Sequence, residues 1–314
     1  MKAIRYHRFG PPDVLQWEEA PTPRAGRGEL AVRVRATALN PKDVLTRKGK
    51  LGPLSPRFPI VPGQDFAGVV ESLGRGVKGF AVGEDVFGMI GGLRTGANAE
   101  VLVVPIDEVA LAPRRATAVE AAAIPLTGMT ALQALRDDAR VRPGEEVVLN
   151  GASGGVGVVA IQVAKLLGAR VVAVCSSRNT DWVRALGADE VLPYDEQPLL
   201  ERGRTFDVVF DVFGTAPWPG ARPLLAPGGR YVTAIPRPRG LARDLASRVT
   251  GGPAYTVLVK SRRRDLQRLA QWIDQGKLRC VVDRTYPIEE SAAAHAYVET
   301  RRARGKVVLT VGDA

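Results

Sequence analysis

Residues 150–157 read Asn-Gly-Ala-Ser-Gly-Gly-Val-Gly, between an apolar run (146–150) and a second run, 155–167, that is apolar on most sides. Small residues at a strand-to-helix turn let the backbone approach a pyrophosphate. The helix start offers unpaired N–H groups and a positive dipole end. Ala152, Ser153, Gly154, Gly155, Val156 and Gly157 are therefore candidate contacts for a dinucleotide. A bare glycine pattern is a weak signal and also fits a structural turn; the strand–turn–helix–strand context favours the binding reading. The next strand, 170–175, discriminates between cofactors. An acid about 20 residues past the glycines commonly takes the ribose 2′-hydroxyl of NAD. Here the chain reads Cys175-Ser176-Ser177-Arg178, with no acid at the strand end. Two hydroxyls and a guanidinium suit a 2′-phosphate, which a carboxylate would repel, so NADPH is expected over NADH. The competing reading of Arg178 is one more surface arginine among many.

These residues need a scaffold. After about residue 117, apolar strands alternate with helices: 146–150, 170–175, 191–194, 207–210, 230–235 and 255–260 read as strands. The segments 155–167, 181–186 and 221–225 read as helical, and Arg237–Thr250 as a loop region. Strands this apolar, alternating with helices, argue for a parallel sheet covered on both faces. The first 110 or so residues differ. Short β-type runs at 29–36, 68–71 and 100–104 lie between Gly- and Pro-rich turns, as in a small irregular β-barrel. Thr117 can cap a helix that Pro125 interrupts. Leu266, Leu269, Ala270 and Ile273 form one stripe of a later helix, and 305–311 is strand-like. The expected division is a β-rich domain of residues 1–118, completed by 265–314, and a cofactor domain of 119–264.

Composition narrows the class. The 314 residues are 45% hydrophobic, enough for two ordinary cores, and no apolar run reaches the length of a membrane span. No signal peptide is visible after MKAIRYHRFGPP. With two cysteines, Cys175 and Cys280, a disulfide framework is absent and a reducing cytoplasm is the expected compartment. The net charge of +11 fits either nucleic-acid binding or a solvated basic surface that also attracts an anionic cofactor. The basic residues are dispersed, and their densest stretch, 237–268, lacks interleaved aromatics, which makes nucleic acid the less favoured partner.

The run VLNGASGGVGVVAIQVAKLLGARVVAVCSSRN followed by LGADEVLPY resembles the cofactor domain of medium-chain dehydrogenase/reductases. ALNPKD at 38–43, PGQDFAGVV at 62–70, LTGMTAL at 126–132 and GKVVL at 305–309 occur in family order, so the resemblance covers nearly the whole chain. It implies an α/β protein: a GroES-like β-barrel catalytic domain plus a Rossmann domain with a doubly wound parallel sheet. The cofactor is then expected in the cleft between them, and the last residues are expected to return to the first domain. Zinc-dependent members place Cys, His and Cys around a catalytic metal; the matching positions here hold Asn40, Gln64 and Leu126. Such a set lacks the thiolate, imidazole or carboxylate that zinc needs, so no metal is expected.

What remains is similar to the zinc-free quinone oxidoreductases and enone reductases. That resemblance implies NADPH as cofactor, with Ser153, Gly155 and Val156 at the pyrophosphate and Ser176, Ser177 and Arg178 at the 2′-phosphate. It also implies cofactor contacts from Tyr194, at the adenosine end, and from Phe213, Ile235 and Lys306. Thr127 and Asn40 are implied near the nicotinamide. Thr127 also reads as a helix cap, Asn40 as a turn residue before Pro41, and Lys306 as a solvated lysine. Hydride transfer would reduce a quinone or an α,β-unsaturated carbonyl, with Asn40 and Gln64 donating to the oxygen that gains charge. Lys42 and Lys48 are candidates for the pocket rim. The segment 44–51 lacks the tyrosines of some relatives, so no general acid is evident. A specialised biosynthetic reductase or a non-catalytic NADPH-binding protein would share these motifs. The small-molecule acceptor is expected among loops 40–60, 87–96 and 236–255. A homodimer is implied, with 255–260 as the edge strand.

Overall fold

The structure is a computed structural model describing residues 1–52, 55–236, 238–250 and 252–312. It divides into two compact units, Met1–Met129 with Lys260–Ala314, and Thr130–Val259.

In the first unit, β1 (Lys2–Arg5) and β2 (Gln16–Glu19) pair as a ribbon, and β3 (Glu29–Ala38) is the hub of a mostly antiparallel sheet. β3 pairs with β4 (Asp65–Leu73), which continues to β5 (Asp85–Met89) and β7 (Val109–Leu111); β3 also pairs with β6 (Val101–Pro105). Between β3 and β4 lies α1 (Pro41–Arg47), begun by an Asn40–Asp43 capping box. Thr117 and Glu120 form a second capping box at α2 (Ala118–Ala122), and α3 (Pro125–Leu132) starts at the proline expected to break that helix. Ile4, Leu30, Val32, Phe66, Val86, Leu102 and Leu309 belong to one core cluster. Leu309 comes from the far end of the chain, as the resemblance implied. β15 (Lys306–Thr310) lies antiparallel to β3, with Val308 opposite Ala38.

In the second unit six parallel strands follow one another: β8 (Glu146–Asn150), β9 (Arg170–Cys175), β10 (Glu190–Pro193), β11 (Phe206–Asp211), β12 (Leu225–Thr233) and β13 (Ala254–Thr256). Their spatial order is β10-β9-β8-β11-β12-β13, which is the Rossmann order with its switch point between β8 and β11. Ligands in such sheets bind beyond the carboxyl ends of the strands at that switch. The helices here are α4 (Gly155–Leu166), α5 (Thr180–Ala185) and α6 (Pro238–Thr250).

Three segments depart from the local reading. The expected loop at 237–250 is largely α6, whose Pro238 and Gly240 masked a helical pattern held by buried Asp244, a partner of the Thr256 N–H; Arg237 lies outside the described residues. The expected strand 255–260 is shorter and one residue earlier: β13 has three residues, and after the Val257 N–H bonds the Thr233 carbonyl the chain leaves the sheet. The expected helix at 221–225 is one 3₁₀ turn over Arg222–Leu224, with Pro223 as its second residue. The later helix, α7 (Arg263–Asp274), buries the expected stripe of Leu266, Leu269, Ala270 and Ile273, and is followed by β14 (Val282–Pro287) and α8 (Ser291–Glu299).

Candidate active site

The glycine turn joins β8 to α4 at the switch point of the second unit. The N–H groups of Gly151 and Ala152 both donate to the Val174 carbonyl at 3.2 and 3.0 Å, tying the turn to β9. Gly151 has φ +94° and packs against Phe213. At Gly157 a Cβ would stand 2.3 Å from the Gly151 carbonyl oxygen, so glycine is demanded by the chain itself. Gly154 is different. A Cβ there would meet nothing nearer than the Gly151 oxygen at 3.6 Å, and among the described residues no side chain caps the N–H groups that begin α4. The fold leaves room outside Gly154 and donors beside it, which is the cradle a pyrophosphate needs.

The other expected cofactor residues of this unit gather at the same strand ends. Ser176, Ser177 and Arg178 follow β9, Tyr194 follows β10, Phe213 follows β11 and Ile235 follows β12. The Tyr194 N–H donates to the Cys175 carbonyl at 3.0 Å, which sets Tyr194 beside the serines, half exposed. Asn179 escaped the sequence reading. Its Nδ2 donates to Ser153 Oγ at 3.1 Å and Ser176 Oγ at 3.2 Å, linking the glycine turn to the tip of β9. Asp211, fully buried at the end of β11, accepts from Asn150 Nδ2 at 2.8 Å, Gly214 N at 2.8 Å and Ala216 N at 3.2 Å, and so shapes the Phe213 loop. Both residues have ordinary types in ordinary places; only the crossover topology brings them to the site.

The first unit holds a buried polar cluster built from the ends of β3, β4 and β15. Lys306 Nζ donates to the Leu39 carbonyl at 2.8 Å, Asn40 Oδ1 at 2.6 Å and Asp65 Oδ2 at 3.2 Å. All three ammonium hydrogens are thus bound inside the unit. This corrects its reading as a solvated lysine: the side chain is buried. Asp65 also accepts from Asn40 Nδ2 at 2.9 Å and from the Leu126 N–H at 2.8 Å, fixing the start of α3. Burial pushes Asp65 above the usual carboxylate range, and the Lys306 charge opposes this. Asp65 stood within the PGQDFAG segment, but its pairing with a lysine 241 residues later had no local signal.

The two amides expected to donate to the substrate are already committed. Asn40 Nδ2 serves Asp65 and the Ala38 carbonyl. Gln64 Nε2 donates to Ile90 O at 2.7 Å and lies 3.2 Å from Gly92 O and Arg94 O, so it braces loop 90–94. Thr127 is buried and bonds back to the Ala123 carbonyl at 2.9 Å, four residues earlier, rather than capping a helix. Lys42 is half-buried: its Nζ donates to Gly92 O at 2.6 Å and Gln64 Oε1 at 3.1 Å, leaving one hydrogen of three uncommitted. Burial lowers its pKa. Near loop 90–94 an open depression of about 490 Å³ is lined by Pro56, Ile90, Leu93, Arg94, Thr95 and Val103.

Known proteins share this architecture. The family described as alcohol dehydrogenase GroES-like domain matches residues 26–114, and that described as zinc-binding dehydrogenase matches 186–309. The chain belongs to the medium-chain dehydrogenase/reductases, in the quinone oxidoreductase branch. It is 33% identical to a chloroplast envelope quinone oxidoreductase homolog of Arabidopsis thaliana, over 98% of both chains. It is 34% identical to an NADPH-dependent alkenal/one oxidoreductase of the same plant, over 98% of this chain and 79% of the relative. Among solved structures, a quinone oxidoreductase from Coxiella burnetii superposes with a TM-score of 0.90 at 32% identity, over 99% of each chain. An NAD-dependent alcohol dehydrogenase superposes with a TM-score of 0.86 at 35% identity, over 99% of this chain and 100% of the other. The chain is accordingly an oxidoreductase of the quinone or enone reductase type. No helix among the described residues is long and apolar enough to cross a membrane.

Proposed function

We propose that this chain uses NADPH to reduce a quinone or an α,β-unsaturated carbonyl by hydride transfer without a metal. The observation that carries this reading is the tip of β9. Ser176, Ser177 and Arg178 stand there with no acid on that strand, beside a glycine turn whose Gly154 has room outside and donors next to it. The NADPH-dependent relative supports the same cofactor. When bound, the cofactor supplies the hydride. The α4 N-terminus holds the pyrophosphate, and Ser176, Ser177 and Arg178 hold the 2′-phosphate. In the first unit Asn40, Gln64 and Leu126 stand where a zinc enzyme has its ligands, and they suit no zinc ion. With both amides committed, the donor to the oxygen that gains negative charge is Lys42. Its lowered pKa eases release of the proton that completes the reduction.

The test combines binding with turnover. NADPH should bind by calorimetry and be oxidised by quinones or enones. Arg178→Ala should cut kcat/KM for NADPH by about tenfold to a hundredfold, the worth of a charge-assisted phosphate contact. Gly154→Ala should weaken NADPH binding while leaving the melting temperature unchanged. Lys42→Met should lower kcat by about a hundredfold or more and leave the NADPH dissociation constant intact. No affinity for NADPH would overturn the reading; activity confined to simple ketones would overturn the substrate class alone.

We further propose a cytoplasmic homodimer, paired through β13, the edge strand of the sheet. Sedimentation at monomer mass at micromolar concentration would refute the dimer, and membrane-bound or organellar protein on fractionation would refute the compartment.

A further inference from the structure

The acid missing from the tip of β9 is present on the neighbouring strand. Asp195 lies two residues past β10, and its carboxylate closes on Ser177 with two bonds. The Ser177 N–H donates to Oδ1 at 2.8 Å, and the Ser177 hydroxyl donates to Oδ2 at 2.8 Å. These are two of the donors that a ribose 2′-phosphate would need. Both bonds hold Asp195 below the usual carboxylate range, and the Arg178 charge adds to them, so the group is an anion at neutral pH. Ser177, Arg178 and Asp195 are all exposed, so the carboxylate sits at the mouth where an adenine ribose would arrive.

We propose that Asp195 sets the dinucleotide preference of this enzyme by competing with the 2′-phosphate for Ser177, so that NADH is accepted alongside NADPH. This rests on the reading that the second unit binds a nicotinamide dinucleotide with its adenine ribose at the end of β9. Two charges act there in opposite senses. Arg178 attracts the 2′-phosphate. Asp195 repels it, occupies the Ser177 donors, and can accept from a ribose 2′-hydroxyl instead. NADPH binds after the carboxylate has turned away from Ser177; NADH leaves the pair in place and adds one bond to it. A carboxylate supplied by the third strand thus does what an acid at the end of the second strand does in an NAD site. Local sequence could not show this, because Asp195 lies 18 residues beyond Ser177.

The experiment measures binding apart from turnover. Dissociation constants for 2′,5′-ADP, 5′-AMP, NADPH and NADH are determined by calorimetry on the wild type, Asp195→Asn, Asp195→Ala and Arg178→Ala. Asp195→Asn removes the charge and keeps an acceptor for the Ser177 hydroxyl. It should tighten 2′,5′-ADP and NADPH at least tenfold and weaken 5′-AMP and NADH alike, since both carry the free 2′-hydroxyl. Asp195→Ala should move the same way. The ratio of kcat/KM for NADPH over NADH should rise at least tenfold in both. A ratio and a 2′,5′-ADP affinity unchanged in both variants would overturn the role of Asp195 while sparing the cofactor site. Absence of binding by all four probes in the wild type would instead overturn the dinucleotide reading beneath it.

Discussion

Lys306→Met is expected to destabilise the Met1–Met129 and Lys260–Ala314 unit by about 3–5 kcal/mol, the range for removing one partner of a buried ion pair. Asp65 has no exposed surface, and Lys306 is almost as deeply buried. With the ammonium gone, Asp65 keeps the Asn40 amide and the Leu126 N–H but loses its neutralising charge. The Leu39 carbonyl and Asn40 Oδ1 lose their donor at the same time. Burial then drives Asp65 to take up a proton, so the loss should shrink at low pH. The double variant Lys306→Met with Asp65→Asn should lose less than the single one, because no uncompensated charge stays inside. Urea unfolding followed by circular dichroism measures both. A loss below about 1 kcal/mol for Lys306→Met, the size of an exposed pair, would show that the cluster is open to water. Because Asp65 anchors the start of α3, the same variant should also lose reductase activity in proportion to its disorder around Thr127.

The second large effect is acid destabilisation through His295. This side chain in α8 is fully buried, and among the described residues neither ring nitrogen has a hydrogen-bond partner. Burial, reinforced by the Arg47 charge and opposed by Glu299, lowers its pKa to about 3. Above pH 6.5 the ring is neutral in both the folded and unfolded chain, and stability is unaffected. Below that, the unfolded chain binds a proton that the folded chain refuses. Stability then falls by about 1.4 kcal/mol per pH unit, approaching about 5 kcal/mol near pH 3. Asp43 acts with the opposite sign. Burial raises it to about 6 from 3.8, so folding takes up a proton between those values and resists the acid loss. The contribution of His295 is therefore read as a difference. His295→Leu should be close to wild type at pH 7 and about 3 kcal/mol more stable than wild type at pH 4. Urea midpoints at the two pH values decide it; parallel loss in both proteins would show that His295 is protonated in the folded state.

Much of the fold was legible along the chain because its causes are local. Alternating apolar strands and helices, the capping residue Thr117, the stripe of α7 and the glycine turn each depend on neighbours a few residues apart. The Cys-Ser-Ser-Arg tip was legible for the same reason. It lies a fixed distance past the turn, and its lack of an acid can be read by counting. The helix α6 was not legible, since proline and glycine near its start outweighed the periodicity behind them.

By itself, then, the sequence determined the two-part architecture, the glycine turn between β8 and α4 and the residue types at the tip of β9. Only the tertiary structure decided which of those groups remain available. Hydrogen-bonding capacity is finite, and whether a donor is taken depends on what another strand brings within about 3 Å. Lys306 reaches Asn40 and Asp65 because β15 returns to β3, so a lysine that also read as solvated is a buried brace. Asp195 reaches Ser177 because β10 lies beside β9, so a tip that reads as purely cationic carries its own anion. Contacts between residues far apart in sequence are set by strand order, and strand order is a property of the packed sheet.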